Sequence, residues 1–497
     1  MVSRRAFLSG AAASVGGSLA GPAWASAPER SLRPLVRPDG FIARTIPDAA
    51  DIIARADLGG RVGFAVADAT TGEMLEVGYP LYGLPPASVA KAVTTAYALD
   101  RLGPGYRFRT RLVSDGVLAD GRLDGDLWLI GSGDPLFDTD ALAGMARSLA
   151  DFGVREVTGQ LRLATDALPT IYQIDPGQLP HAGYNPSISS MNLNFNRVHF
   201  EWTRENGDYT VTMQARSASY SPGVQTSRMV IEDRDFPVYT YEDTETRDEW
   251  TVARGALGNG GARWLPTRRP AAYMAEVFQT IARSYGIVLD GPAFSESAPT
   301  DAAVLVEHVS EPLEDILRGM MLWSTNLTAE VVGLLATQAG GVRPATLAES
   351  GAEMAAWMEE RLGARNPHFV DHSGLGVDSR IRPQDMTRAL VSAGPNGLLR
   401  NLMKDIPMRD SAGNPVADHP LSVVAKTGTL NFVSTLAGYV RLPTGRDLAF
   451  AIFCADLDRR AALTEAQMER PPGGRSYNGR AKRLQQALIE RWGVVHA

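Results

Sequence analysis

The sequence predicts an α/β fold with inserted β-rich modules. Three observations predict it. Strand-like runs stand at both ends of the chain, Val62–Asp68 near the start and a hairpin of Ser434–Leu442 with Asp447–Ala455 near the end. Helical apolar spacing follows the first of these and returns beyond about residue 307, whereas the stretch between is built of short strands and Gly/Asp turns.

Each element has a local cause. Val62-Gly63-Phe64-Ala65-Val66-Ala67-Asp68 runs into the turn residues Thr70-Thr71-Gly72-Glu73, and a second strand is expected at Met74–Tyr79. Pro85-Pro86-Ala87-Ser88 opens a helix whose apolar positions Val89, Ala92, Val93, Ala96 and Leu99 share a face, with Gly103 just past its end. From Phe108 to Tyr184 short strands prevail, with one helix at Ala141–Phe152, and Asn194–Trp264 is polar and strand-rich. Leu421-Ser422-Val423-Val424-Ala425 is a β-rich run, Pro443-Thr444-Gly445-Arg446 turns the final hairpin, and a helix is expected over Arg480–Trp492. No internal repeat or heptad pattern is present.

The start of the chain predicts export. Arg4-Arg5 precede a run of small and apolar residues from Leu8 to Ala20, broken by Gly10, Gly16 and Gly17 and shorter than the ~20 residues of a membrane-spanning helix. Cleavage is expected near Ala25 or Ala27, which makes residues 1–27 a signal peptide and the protein periplasmic; the paired arginines are of the twin-arginine type, the alternative being an ordinary secretory signal with a basic start. A Pro/Arg-rich leader follows from Pro28 to Pro38. No transmembrane anchor is expected, which leaves peripheral membrane association open, and oligomeric state is not legible. A formal charge of −7 argues against nucleic acid as a partner.

Three short strings carry the chemistry: Ser88-Val89-Ala90-Lys91, Ser324-Thr325-Asn326 and Lys426-Thr427-Gly428-Thr429. Of 49 lysines and arginines only four are lysines (Lys91, Lys404, Lys426 and Lys482), and two of these stand in the strings. Arginine serves most surface roles, but its guanidinium does not lose a proton in a protein, whereas a desolvated lysine does. Ser88 is a poor nucleophile until a base takes its proton, and Lys91, one helical turn along, is in reach. Lys91 must then be neutral, and burial together with the charge of Lys426 is expected to lower its pKa. Ser324 is suited to relay a proton to the leaving amine and Asn326 to hold Lys91 and a substrate amide. Lys426 supplies charge, Thr427 and Thr429 offer hydroxyls to a terminal carboxylate, and Gly428 lets substrate backbone approach. The N–H groups of Ser88 and Thr429 are candidates for an oxyanion hole.

Other chemistries lack their residues. The seven histidines contain no His-Glu-x-x-His, and there is no Gly-x-Ser-x-Gly, no Walker loop, no cysteine pair and no expected metal or cofactor. Cys454, the lone cysteine, sits in an apolar strand and is expected to be buried and inert. His372, in Asp371-His372-Ser373-Gly374-Leu375, is read as a loop or core residue rather than a catalytic one.

On these strings the chain resembles the class C low-molecular-mass penicillin-binding proteins, the D-alanyl-D-alanine carboxypeptidase/endopeptidase family. The 236 residues from Ser88 to Ser324 match that family's large insertion, as do Gly131-Ser132-Gly133-Asp134-Pro135, Tyr184-Asn185, Asn192-Leu193-Asn194-Phe195-Asn196 and Asp371-His372-Ser373-Gly374-Leu375. The resemblance implies an α/β transpeptidase-like domain, of the penicillin-binding-protein/β-lactamase kind with helices packed on an antiparallel sheet, in two segments (28–105 and 306–497). It implies an inserted domain in two segments (106–193 and 266–305) and, within that, a second β-rich domain over 194–265. The implied activity is serine-type cleavage of D-Ala-D-Ala in peptidoglycan stem peptides through an acyl-enzyme on Ser88, sensitive to β-lactams. The alternatives are a β-lactamase and a catalytically silent peptidoglycan-binding scaffold. Two departures stand out. No Trp stands in the stretch 175–183 just before Tyr184-Asn185, so the ligand for the diaminopimelate end is unassigned, and the loop after Leu375 offers only Arg380 and Arg382 as carboxylate ligands.

Overall fold

The structure, a computed structural model, describes residues 46–295 and 297–497. The expected signal over 1–27 and the leader from Pro28 to Pro38 lie outside the described residues. Helix α1 (Ala49–Ala56) leads into β1 (Arg61–Asp68) and β2 (Met74–Gly78), then a 3-10 turn over Ala87–Val89 and helix α2 (Ala90–Leu102). A long excursion begins with β3 (Arg109–Ser114), β4 (Val117–Ala119), β5 (Arg122–Asp124), β6 (Leu127–Ile130), α3 (Thr139–Asp151) and β7 (Glu156–Ala164). It continues through β8 (Arg197–Glu205), β9 (Asp208–Gln214), β10 (Ser227–Glu232), β11 (Tyr239–Asp243), β12 (Asp248–Ala253) and β13 (Gly260–Pro266), and closes with α4 (Pro270–Ser284), β14 (Val288–Ser295) and β15 (Ala303–Val309). Helices α5 (Leu313–Trp323), α6 (Asn326–Ala339), α7 (Leu347–Leu362), α8 (Pro383–Ala393) and α9 (Leu398–Asn401) return to β16 (Lys404–Asp405), β17 (Ser422–Leu430), β18 (Val433–Arg441) and β19 (Asp447–Ala455). Two short helices, α10 (Leu457–Ala461) and α11 (Glu465–Met468), precede the terminal α12 (Gly474–Val495).

β19 shows how the first sheet is held. All nine of its residues are buried, so both faces must be covered. Its period of two sends Leu448, Phe450, Ile452 and Cys454 to one face, against Tyr477, Leu484, Leu488 and Trp492 of α12. Ala449, Ala451, Phe453 and Ala455 join the opposite core, with Met386 and Leu390 of α8 and the residues of α2, α5, α6 and α7. The antiparallel order is β16-β17-β18-β19-β1-β2, so chain ends far apart in sequence share one sheet. Cys454 is fully buried, which pushes its thiol up to about 12.

The excursion builds its own core. A seven-stranded mixed sheet, β15-β3-β6-β7-β5-β4 with β14 beside β7, packs against α3 and α4. Two three-stranded sheets, β13-β8-β9 and β10-β12-β11, use residues 197–266. β15 pairs antiparallel with β3, so the seven-stranded sheet reaches Val309, past the junction expected at 305/306. The terminal helix begins at Gly474 rather than Arg480 because Tyr477, amid polar neighbours that hide the helical pattern, packs into the α12 core.

Candidate active site

Ser88 sits in the 3-10 turn just ahead of α2, not in the α-helix itself. Its neighbour Ala87 is held at φ 46, a left-handed conformation that L-residues rarely adopt and that tends to persist where surrounding structure over-determines it. Two contacts impose it. Thr435 Oγ1 donates to the Pro86 carbonyl at 2.7 Å, and Gly374 lies so close that an added Cβ would stand 1.9 Å from the Ala87 carbonyl oxygen. Ser324 is also left-handed, at φ 61, as the cap between α5 and α6, which places Asn326 in the first turn of α6.

These elements converge. Lys91 Nζ lies 3.1 Å from Ser88 Oγ, donates to Asn326 Oδ1 at 2.8 Å and to the Ser373 carbonyl at 2.7 Å. Lys426 Nζ donates to Ser324 Oγ at 2.9 Å and to the Thr427 carbonyl at 3.2 Å. Asn326 Nδ2 donates to the Tyr184 carbonyl at 2.8 Å, joining the helical layer to the loop that follows β7. Lys91 and Lys426 are buried beneath the cleft, at 0% and 1% exposure, so neither is a solvated surface lysine.

On β17, Lys426 reaches Ser324 and Gly428 lies against the Ser88 turn, where an added Cβ would meet Pro86 and Ser88. Of the two threonines only Thr429 lines the cleft; Thr427 is half-buried, and its backbone carbonyl rather than its hydroxyl meets Lys426. The cleft, about 430 Å³, also takes in Ser88, Ser324 and Asn326 and extends to Tyr184, Arg263, Arg460 and Glu469. Its arginines are therefore Arg263 and Arg460. Arg380, a candidate from sequence, is turned instead onto the carbonyls of Val377 and Ser379, and neither it nor Arg382 lines the cleft.

Burial lowers the proton affinity of both lysines, but their neighbours differ. Lys91 is pushed down by desolvation, while the buried carboxylates of Glu330 and Asp371 work in the opposite direction. Lys426 has only cations acting on it; desolvation, then Lys91 and Lys404, push it down to about 6. The repulsion expected between the two cations is seen at Lys426, whose proton affinity Lys91 lowers, while at Lys91 burial works against the carboxylates of Glu330 and Asp371. His372 is fully buried, its Nε2 2.7 Å from Ser350 Oγ, and burial holds it neutral at about 3; it is a core residue, as its sequence context indicates.

Glu330 and the Arg263, Arg460 and Glu469 wall of the cleft were not among the residues singled out by sequence, and Asp371 and Ser373 stood there only in a string matched to the family, without a role. Glu330 leaves one trace, as the only charged residue in the apolar run of α6. Arg263, Arg460 and Glu469 leave none, since they come from three separate segments. No group of His, Cys, Asp and Glu among the described residues is arranged to hold a metal.

The chain is 24% identical over 423 residues to D-alanyl-D-alanine carboxypeptidase DacB of Haemophilus influenzae, covering 82% of this chain and 88% of that protein. It is 28% identical over 426 residues to the D-alanyl-D-alanine carboxypeptidase of Actinomadura sp. strain R39, covering 78% and 77%. The fold superposes on the crystal structure of penicillin binding protein 4 from Haemophilus influenzae with a TM-score of 0.71 at 21% identity, over 88% of this chain and 99% of that one. The D-Ala-D-Ala carboxypeptidase 3 (S13) family matches residues 47–470, and the chain belongs to that family.

Proposed function

We propose that the protein is a serine D-alanyl-D-alanine carboxypeptidase and endopeptidase that acts on peptidoglycan stem peptides through an acyl-enzyme on Ser88 and is inhibited by β-lactams in the same way. The observation that carries this is the set of partners around Lys91 Nζ. Two of them, Asn326 Oδ1 and the Ser373 carbonyl, only accept hydrogen bonds, so a neutral amine donates to both and its lone pair is left for the Ser88 hydroxyl at 3.1 Å.

In the proposed reaction Ser88 Oγ attacks the carbonyl carbon of the penultimate D-alanine as its proton passes to Lys91. The N–H groups of Ser88 and Thr429 receive the developing oxyanion. Ser324, hydrogen-bonded to Lys426, passes its proton to the departing amine as the C–N bond breaks and is reprotonated with the proton that Lys91 took from Ser88, which leaves Lys91 neutral again. Water then hydrolyses the Ser88 ester, its proton returning to Ser88. Lys426 and the Thr429 hydroxyl attract the terminal carboxylate. The substrate lies outside the cytoplasm, and the paired arginines of the first residues fit export to the periplasm with cleavage near Ala25 or Ala27. Digestion of crosslinked and uncrosslinked muropeptides, read by mass, tests the assignment. Release of D-alanine from pentapeptides and separation of crosslinked dimers are expected with wild type and not with Ser88→Ala; intact pentapeptide after incubation with wild type would refute it.

A further inference from the structure

Glu330 is a carboxylate with no exposure in an otherwise apolar helix, which is costly unless its oxygens and charge are answered. It stands four residues after Asn326 on α6, hence on the same face. Its Oε2 accepts the His372 N–H and its Oε1 the Ser373 N–H, each at 2.9 Å. The next residues of that turn are held the same way: Asp371 Oδ1 accepts the Gly374 N–H at 2.7 Å and Oδ2 the Gly376 N–H at 2.6 Å. The turn is tied to the nucleophile's helix as well, because Thr94 Oγ1 of α2 donates to the His372 carbonyl at 2.6 Å. Its Ser373 carbonyl is the one that receives Lys91.

Resting on the reading of Lys91 as the base, we propose that Glu330 is a positioning residue for it: its carboxylate clamps the 371–376 turn so that the Ser373 carbonyl holds Lys91, and its charge sets how readily Lys91 releases a proton. Amide oxygens could satisfy single N–H groups, but one carboxylate receives two adjacent N–H groups beside a lysine that must cycle between amine and ammonium. Burial, then Asp371, push Glu330's own carboxyl up, while the hydrogen bonds from Ser373 and His372 and the charge of Lys91 favour its ionised form, so Glu330 and Lys91 titrate as a pair. The ionisable groups facing Lys91 are Glu330 from α6, Asp371 from the turn and Lys426 from β17, and His372 beside them is neutral. Asp175 faces Asp371 from the loop after β7. Glu330 favours the ammonium, against the desolvation that opposes it. Removing its charge therefore lets Lys91 lose its proton at lower pH, and shortening its reach loosens the turn without removing the charge.

The experiment uses the mature enzyme and two substitutions, E330Q and E330D, with the rate of acylation by a fluorescent penicillin measured from pH 5 to pH 9. Lysine labelled at 13Cε reports Lys91 directly, since only four lysine signals arise. With E330Q the low-pH limb of acylation and the Lys91 titration are expected to move down by about one pH unit. With E330D both are expected to stay near wild type while acylation slows about tenfold or more. An E330Q enzyme that melts at lower temperature but keeps the wild-type limb and Lys91 titration would reduce Glu330 to a packing role and overturn the proposal. Should E330Q not fold, wild-type acylation by E330D overturns it alone. Absence of any label on wild-type Ser88 is a different outcome, and refutes the nucleophile assignment instead.

Discussion

Gly428 offers the sharpest test of how the cleft is assembled. A Cβ added there would stand 2.2 Å from Thr435 Oγ1, 2.8 Å from the Pro86 carbonyl oxygen and 2.9 Å from the Ser88 nitrogen. Two of these are backbone atoms of the turn that carries the nucleophile, and Thr435 Oγ1 is itself engaged with Pro86. In Gly428→Ala the relief must therefore come from β17 moving away from Ser88, by something on the order of 1 Å. Overpacking of this kind costs about 1–3 kcal/mol of stability. A displacement of that size between nucleophile and oxyanion donor is expected to slow acylation about 100-fold. The assay is the second-order rate of labelling by a fluorescent penicillin, with a thermal melt to confirm folding at the assay temperature. Labelling within twofold of wild type would refute the close apposition of β17 and the Ser88 turn.

Lys91→Arg keeps a cation in place but cannot release its proton, so acylation is expected to fall by about 10²–10⁴, and fluorescent labelling measures it. In wild type the acylation rate is expected to rise with pH, because Lys91 must lose its proton and burial brings that loss below the ordinary lysine range. Lys426, pushed down to about 6, is mostly neutral at pH 7 in the empty cleft, and a carboxylate arriving beside it favours the ammonium. Binding of a D-Ala-D-Ala peptide to Ser88→Ala at pH 7 is therefore expected to take up a proton, seen as binding heats that depend on the ionisation enthalpy of the buffer. At Asp68, burial raises the carboxyl, but the Thr71 and Thr70 N–H groups and the Arg446 guanidinium outweigh it and hold the group at about 2. This stabilisation is present above the ordinary carboxyl pKa of about 4 and is lost as pH falls through about 2, so Asp68→Asn should cost about 1 kcal/mol in urea unfolding at pH 7 and progressively less as pH falls towards and below about 2.

What the sequence made legible follows from the range of the interactions involved. Ser88, Lys91, Ser324, Asn326 and Lys426 stand in short strings whose residue types have few other uses together, and the near-absence of lysine elsewhere isolates two of them. The final hairpin was legible because alternating apolar residues flank a Pro-Thr-Gly-Arg turn, and the strands end within a residue of expectation. Local pattern does not carry electrostatics between distant segments. Glu330 and Asp371, which work against burial at Lys91, reach it only through tertiary packing. The same holds for Arg263, Arg460 and Glu469. The extension of the inserted sheet to Val309 is a pairing between strands nearly two hundred residues apart, which no local spacing marks.

The account's central claim is that Ser88 is acylated, and peptide mapping after penicillin treatment tests it most directly. Trypsin cleaves after Arg61 and Lys91, so the nucleophile lies in the peptide Val62–Lys91. A single penicilloyl mass increment on that peptide, fragmenting to Ser88 and missing in Lys91→Arg at short times, is the predicted result. An increment on the peptide containing Ser324, or none anywhere, would contradict it.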